Sequence, residues 1–135
     1  MSDIFIDIPF KEQDLFNYIK KNYIPDLKNS SSKYAKTDCF SNEFNLDIEL
    51  KCRRTHYKTL LIERKKYDAL MLRAADYKTI PVYINSTPKG IWGFYLFNID
   101  MKWETKLLPL TTDFGNNTKI LKEIAYLDIF DGISL

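Results

Sequence analysis

The sequence predicts an α/β domain, a mixed central sheet flanked by helices, and three observations predict it. Stretches with apolar residues at helical spacing take turns with stretches that alternate polar and apolar residues in the manner of strands. Hydrophobic residues make up 45% of the 135 residues, enough to bury a core and too many for a disordered chain. Aromatic residues reach 15%, and rings of that kind pack well on a pleated surface. The length fits one domain spanning 1–135.

Residues 10–23 read as a helix. Leu15, Phe16, Ile19 and Tyr23 recur at helical spacing after Pro9, and Pro25 ends the run. Residues 33–40 and 46–53 read as two strands joined by a turn through Ser41 to Asn45. Residues 60–75 read as a second helix, with Leu60, Tyr67, Leu70, Met71 and Ala74 along one stripe. Residues 80–86 and 91–99 read as strands around the Pro88-Lys89-Gly90 turn. A last helix is expected from Thr118 to Leu127, capped by Asn117.

Composition excludes several classes. Two cysteines, Cys39 and Cys52, do not make a disulfide framework. With His56 as the single histidine, the roughly four ligands of a structural zinc site are lacking. No stretch approaches the ~20 apolar residues of a membrane span, and the N-terminal residues do not read as a signal peptide. The expectation is a soluble, reduced, cytoplasmic protein with no membrane partner. A net charge of +2 is too small to name a partner, so the distribution of charge matters more.

The chemistry concentrates in the 33–53 hairpin. Asp47, Glu49 and Lys51 alternate with Ile48, Leu50 and Cys52, so one face of that strand is polar and the other apolar. A hairpin folded about the middle of 41–46 sets Asp38 opposite Glu49, with Cβ atoms ~5 Å apart. Like charges that close call for a compensating cation, and hard divalent ions take carboxylate and carbonyl oxygens. Lys51 would sit beside them on the same face, where a fixed charge can stabilise a phosphorane-like transition state. The alternative reading is a solvated strand face carrying mixed charge. Asp47 is a competing ligand, ranked below Asp38 because it lies ~7 Å along the strand from Glu49.

The run Asp38, ten residues, Glu49-Leu50-Lys51 resembles the core motif of the PD-(D/E)xK nuclease superfamily, with Thr37 in the place of the proline. That superfamily takes in restriction endonucleases, archaeal-type Holliday junction resolvases and phage-encoded nucleases. The resemblance covers roughly residues 10–86. It implies a restriction-endonuclease-like core and a magnesium- or manganese-dependent endonuclease, with DNA preferred over RNA. It implies Asp38 and Glu49 as metal ligands, the Leu50 carbonyl as a further ligand, and Lys51 as the catalytic lysine. Glu12 matches a helix glutamate that some members place near the metal; it also suits the first turn of a helix as a dipole partner. The fold calls for a strand before Asp38, either very short or supplied by Ile4-Phe5-Ile6-Asp7-Ile8.

From Lys51 to Lys66 the chain carries Lys51, Arg53, Arg54, Lys58, Arg64, Lys65 and Lys66 against the single acid Glu63. Beside the proposed carboxylates, Arg53, Arg54, Lys58, Lys65 and Lys66 are candidate phosphate contacts. A solvated helix face is the plainer reading of such a run. His56 is a poor candidate base, and Trp92 and Trp103 suit a core or an interface. Small nucleases of this kind often pair to handle two strands, so a homodimer is expected. The rival function is a nucleic-acid-binding or assembly protein that retains the fold without catalysis.

Overall fold

A computed structural model describes residues 8, 9, 11–30, 38–110 and 118–135. In chain order the elements are α1 (Glu12–Asn22), β1 (Lys28–Asn29), β2 (Cys39–Ser41), β3 (Leu46–Cys52), β4 (Thr59–Glu63), α2 (Arg64–Tyr77), β5 (Ile80–Thr87), β6 (Gly90–Tyr95), β7 (Glu104–Pro109), β8 (Lys119–Asp128) and β9 (Ile133–Ser134). Short 3-10 turns cover Leu96–Asn98 and Ile129–Asp131. Six strands form a sheet in the order β1-β2-β3-β5-β6-β9, and β4-β8-β7 form a second sheet. Pairing is antiparallel except between β3 and β5, which run parallel and are connected through β4 and α2. The architecture is the mixed sheet with helices that the sequence predicts. Among the described residues no helix is long and apolar enough to cross a membrane.

Strand alternation divides the core in two. Ile48, Leu50, Val82 and Ile84 bury one face of the main sheet against Leu15, Phe16 and Ile19 of α1. Tyr83 leaves the opposite face and joins Leu70 of α2, Leu60 and Ile62 of β4, and Ala125 and Leu127 of β8. The polar face of β3 is therefore roofed by α2 and the second sheet, not laid open to water as an ordinary wet strand face would be.

The β2–β3 turn is pinned from outside. Ser41 Oγ donates to Asp26 Oδ1 at 2.6 Å, and the Glu43 N–H donates to Asp26 Oδ2 at 2.9 Å. Those bonds hold the Asp26 carboxyl below its ordinary range. Asn45 closes the turn with a left-handed φ of 57°, which asparagine tolerates. Its side-chain amide donates to the Lys78 carbonyl at 2.8 Å, and its own carbonyl accepts from the Ile80 N–H at 2.8 Å. The starts of β3 and β5 are thereby fixed side by side.

Several expected elements change. The helix expected over 60–75 is a strand, β4, followed by a helix from Arg64. Leu60 belongs to the strand, while Leu70 and Ala74 are the buried stripe of α2. The strand expected over 91–99 ends at Tyr95 and passes into a 3-10 turn. The helix expected over 118–127 is the strand β8. Its Lys, Leu, Glu and Ala are good helix formers, but propensity is a weak guide where tertiary contacts compete. As a strand it pairs with β4 on one side and β7 on the other, so tertiary pairing overrides propensity. The missing early strand exists in its very short form: β1 pairs with β2 through Lys28↔Phe40 and Asn29↔Cys39. Residues 4–7, 31–37 and Asn117, on which parts of these expectations fall, lie outside the described residues.

Candidate functional site

The register Cys39↔Ile48, Phe40↔Asp47 and Ser41↔Leu46, carried one residue outward, sets Asp38 beside Glu49. Asp38 is fixed twice. Its N–H donates to the Ile48 carbonyl at 3.0 Å, and its Oδ2 accepts from the Leu50 N–H at 2.7 Å. The carboxylate thus takes the place of a backbone rung at the end of the β2–β3 ladder. Because the N–H and C=O of one strand residue point to the same edge, the Leu50 carbonyl faces that edge as well.

The Asp38 carboxylate bears on the carboxyls of both Glu49 and Glu12, which line the same cleft. Glu12 reaches it from the first turn of α1, and Glu49 from the roofed face of β3. Burial and then the Asp38 charge push Glu49 up to about 7, while Lys66 pulls the other way. Burial and Asp38 also raise Glu12. Lys51 is lowered, first by burial and then by the neighbouring Arg53 charge. Among the described residues no group of three or more acidic, His or Cys side chains closes into a ready-made ion cage. The three carboxyls instead stand in a row with Asp38 in the middle, along one wall of a cleft.

That cleft, about 480 Å³, is lined by Glu12, Asp38, Glu49, Leu50 and Lys51 on one side and by Leu108, Pro109, Leu110 and Lys122 of the β7–β8 hairpin on the other. A second cleft of about 760 Å³ shares Asp38, Glu49, Lys66 and Lys122 and continues along Arg64 and Lys65. Lys66 Nζ lies 3.5 Å from Glu49 Oε1, and Lys122 Nζ lies 2.7 Å from Glu63 Oε1. The first turn of α2 holds Arg64, Lys65 and Lys66 and no acid, against the sense of the helix dipole.

Asp38, Glu49, Lys51, Leu50 and Glu12 are thus brought together. The basic candidates divide. Lys65 and Lys66 line the second cleft, and Arg54 and Lys58 are exposed on the β3–β4 connection. Arg53 turns inward instead. Its Nε donates to Asn85 Oδ1 at 2.7 Å, and its Nη2 donates to the Leu61 carbonyl and, at 3.2 Å, to the Tyr83 hydroxyl. Those bonds tie the end of β3 to β4 and β5, and Arg53 still lines the first cleft beside Lys51. Asp47 is no ligand candidate: it is buried and accepts from Arg73 Nε at 3.4 Å and from the Thr79 hydroxyl.

His56 pairs with Thr87 Oγ1 at 2.8 Å and lies against the Trp92 ring. Trp103 packs edge-on to Tyr67 beneath Arg64. Both tryptophans flank the second core cluster. Sequence reasoning missed the β7–β8 wall and its Lys122–Glu63 pair. No period marks β7, whose residues are mostly exposed, so no local signal announces it.

Neither a protein-family model nor a curated protein matches the chain. Among solved structures, the chain is similar to Hjc, a Holliday junction resolvase from the archaeal hyperthermophile Archaeoglobus fulgidus. The two are 15% identical and superpose with a TM-score of 0.59 over 92% of this chain and 88% of that one. Identity so low speaks for the fold alone. The chain has the fold of that resolvase, a restriction-endonuclease-like mixed sheet with helices.

Proposed function

We propose that this chain is a metal-dependent endonuclease that hydrolyses phosphodiester bonds, with DNA as its substrate. The observation that carries the proposal is the meeting of Asp38 and Glu49 at the wall of a cleft, with Lys51 two residues on along the same strand. The shared fold with a Holliday junction resolvase supports it.

The donor set fits a hard divalent cation. Burial, and then the Asp38 charge beside it, raise Glu49 toward neutrality, and carboxylate and carbonyl oxygens suit magnesium or manganese. Asp38, Glu49 and the Leu50 carbonyl would hold the ion, with Glu12 as an outer partner through Asp38. The ion, when bound, supplies positive charge that polarises the phosphoryl group and makes water a better nucleophile.

The chain's own residues supply the rest. Lys51 presents a fixed ammonium on the cleft wall, where it orients water and stabilises charge that develops on the phosphoryl oxygens. Partial burial strengthens that interaction over its worth in water. Lys65 and Lys66 on α2, with Arg54 and Lys58 beyond β3, hold backbone phosphates. Arg53 positions Lys51's strand through Asn85, Leu61 and Tyr83. A second copy of the chain would present a second site for the opposite strand, giving a homodimer.

The test is cleavage of labelled linear, branched and single-stranded DNA and of RNA with magnesium, manganese or chelator. Metal-dependent cleavage of DNA that disappears in Glu49→Ala is the expected result. Nucleic-acid binding with no cleavage of any substrate would favour a non-catalytic binding or assembly protein on the same fold.

A further inference from the structure

The ion pair on Glu49 is made by Lys66, from the helix, and not by Lys51, from the same strand. Lys66 Nζ stands 3.5 Å from Glu49 Oε1, and Lys51 makes no such pair among the described residues. The partners are unlike: the Glu49 side chain is 13% exposed and that of Lys66 is 61% exposed. A long, solvent-facing arm is laid across a walled-in carboxylate.

A second observation points the same way. The first turn of α2 gathers three cations where a helix favours acids. Arg64 is tied to Asp68 at 3.6 Å and to Glu123 at 3.3 Å. Lys66 is the one that reaches Glu49, and it lines both clefts. A charge placed against its own helix and directed into an acidic site breaks a local rule, and such breaks gather at functional positions.

We propose that Lys66 is a latch displaced by metal: its ammonium neutralises Glu49 in the metal-free protein, and a divalent cation at Asp38 and Glu49 releases it to take a phosphate of the substrate strand. The proposal rests on the metal-dependent reading above. Two cations cannot share one carboxylate without repulsion, and the exposed lysine gives way at small cost because its pairing is weak and its stem is long. Its release links the two ligands. Metal frees Lys66 for phosphate, and by thermodynamic reciprocity a phosphate that draws Lys66 away raises affinity for the metal.

The experiment is calorimetric titration of manganese at pH 8 into wild type, Lys66→Gln, Lys66→Arg and Lys65→Gln. Each titration is run alone and with a phosphorothioate duplex that resists cleavage. Lys66→Gln should bind manganese about fivefold more tightly than wild type, the upper end for a pair with one exposed partner. It should also lose most of the gain that the duplex gives wild type. Lys66→Arg should stay near wild type, and Lys65→Gln, which removes a neighbouring phosphate contact but no contact to Glu49, should weaken duplex binding and leave manganese binding in the absence of duplex unchanged. Unchanged or weaker manganese binding by Lys66→Gln would overturn the latch, leaving Lys66 as a rim charge or as a support that positions Glu49. A wild type that binds no manganese would overturn the metal-dependent reading itself, and the latch with it.

Discussion

Asp47 and Glu49 stand two residues apart on one strand, project from the same face and are both largely shielded from water, yet their surroundings are opposite in kind. Asp47 is 1% exposed and meets donors, the Arg73 guanidinium and the Thr79 hydroxyl. Glu49 meets another acid, Asp38, with Glu12 behind it, and the exposed Lys66 answers from outside. The first arrangement satisfies a buried charge. The second leaves it unsatisfied enough to keep its proton up to about pH 7. The lesson is that a carboxylate supplied with donors by the fold is part of the frame, whereas one supplied with more carboxylate awaits a cation from elsewhere.

The largest expected effect on stability falls on the frame. Asp47→Ala strips Arg73 of its carboxylate and leaves the Thr79 hydroxyl unpaired. Loss of about 1–3 kcal/mol is expected in urea unfolding, the range for leaving a buried hydrogen-bonding group unpaired, because Arg73 is itself 30% exposed. A change below 1 kcal/mol would erase the contrast with Glu49.

Next comes the chemical step. Lys51→Ala leaves every carboxylate in place and should spare manganese binding while slowing cleavage by about 10²–10³-fold. Glu49→Ala should lower both metal affinity and cleavage. Calorimetry beside a nuclease assay separates the two, and a Lys51→Ala enzyme with full activity would remove that residue from the site.

A subtler effect concerns pH. The folded protein raises Glu49 above its ordinary value of 4.5, to about 7. With chelator present, the stability tied to its protonated form is complete below pH 4.5 and is lost as the pH rises through about 7. Glu49→Gln should flatten that decline and melt a few degrees higher than wild type at pH 8. Parallel melting curves for the two proteins across pH 4.5–8 would place the burden on another group.

The smallest effect lies on the surface. Arg54→Ala with Lys58→Ala should lower the slope of log affinity against log salt by ~0.9 for each duplex phosphate that is no longer neutralised. Arg53 is left out of that pair because its replacement breaks three internal hydrogen bonds.

The part of the site carried by local pattern was legible in the sequence. Alternation in β3 and the length of the turn placed Glu49 and Lys51 together and Asp38 opposite, because a hairpin register follows from its own residues. Glu12 followed from the family resemblance, as a glutamate on the first helix, and not from a register. What faces those residues was not legible. β4 looked like the start of a helix because Leu60 falls into phase with Tyr67 and Leu70. β8 looked helical because its apolar residues fall three and four apart, and only its two flanking partners make it a strand. Arg53 looked like one more cation in a basic run, since nothing local announces that Asn85 and Tyr83 converge on it from β5.

The β4–β8 pairing also orders the assembly of the molecule in time. Cys39 meets Ile48 within a single hairpin, but Thr59 must find Asp128, close to the far end of the chain. Pairings between residues distant in sequence form slowly, because loop closure is costly before any contact rewards it. The hairpin that brings Asp38 to Glu49 therefore has the means to form early, and the wall carrying Leu108, Leu110 and Lys122 closes late. In a pulse of hydrogen exchange during refolding, amides of β3 should gain protection ahead of those of β8, so the acidic row exists as an open shelf before it becomes a cleft.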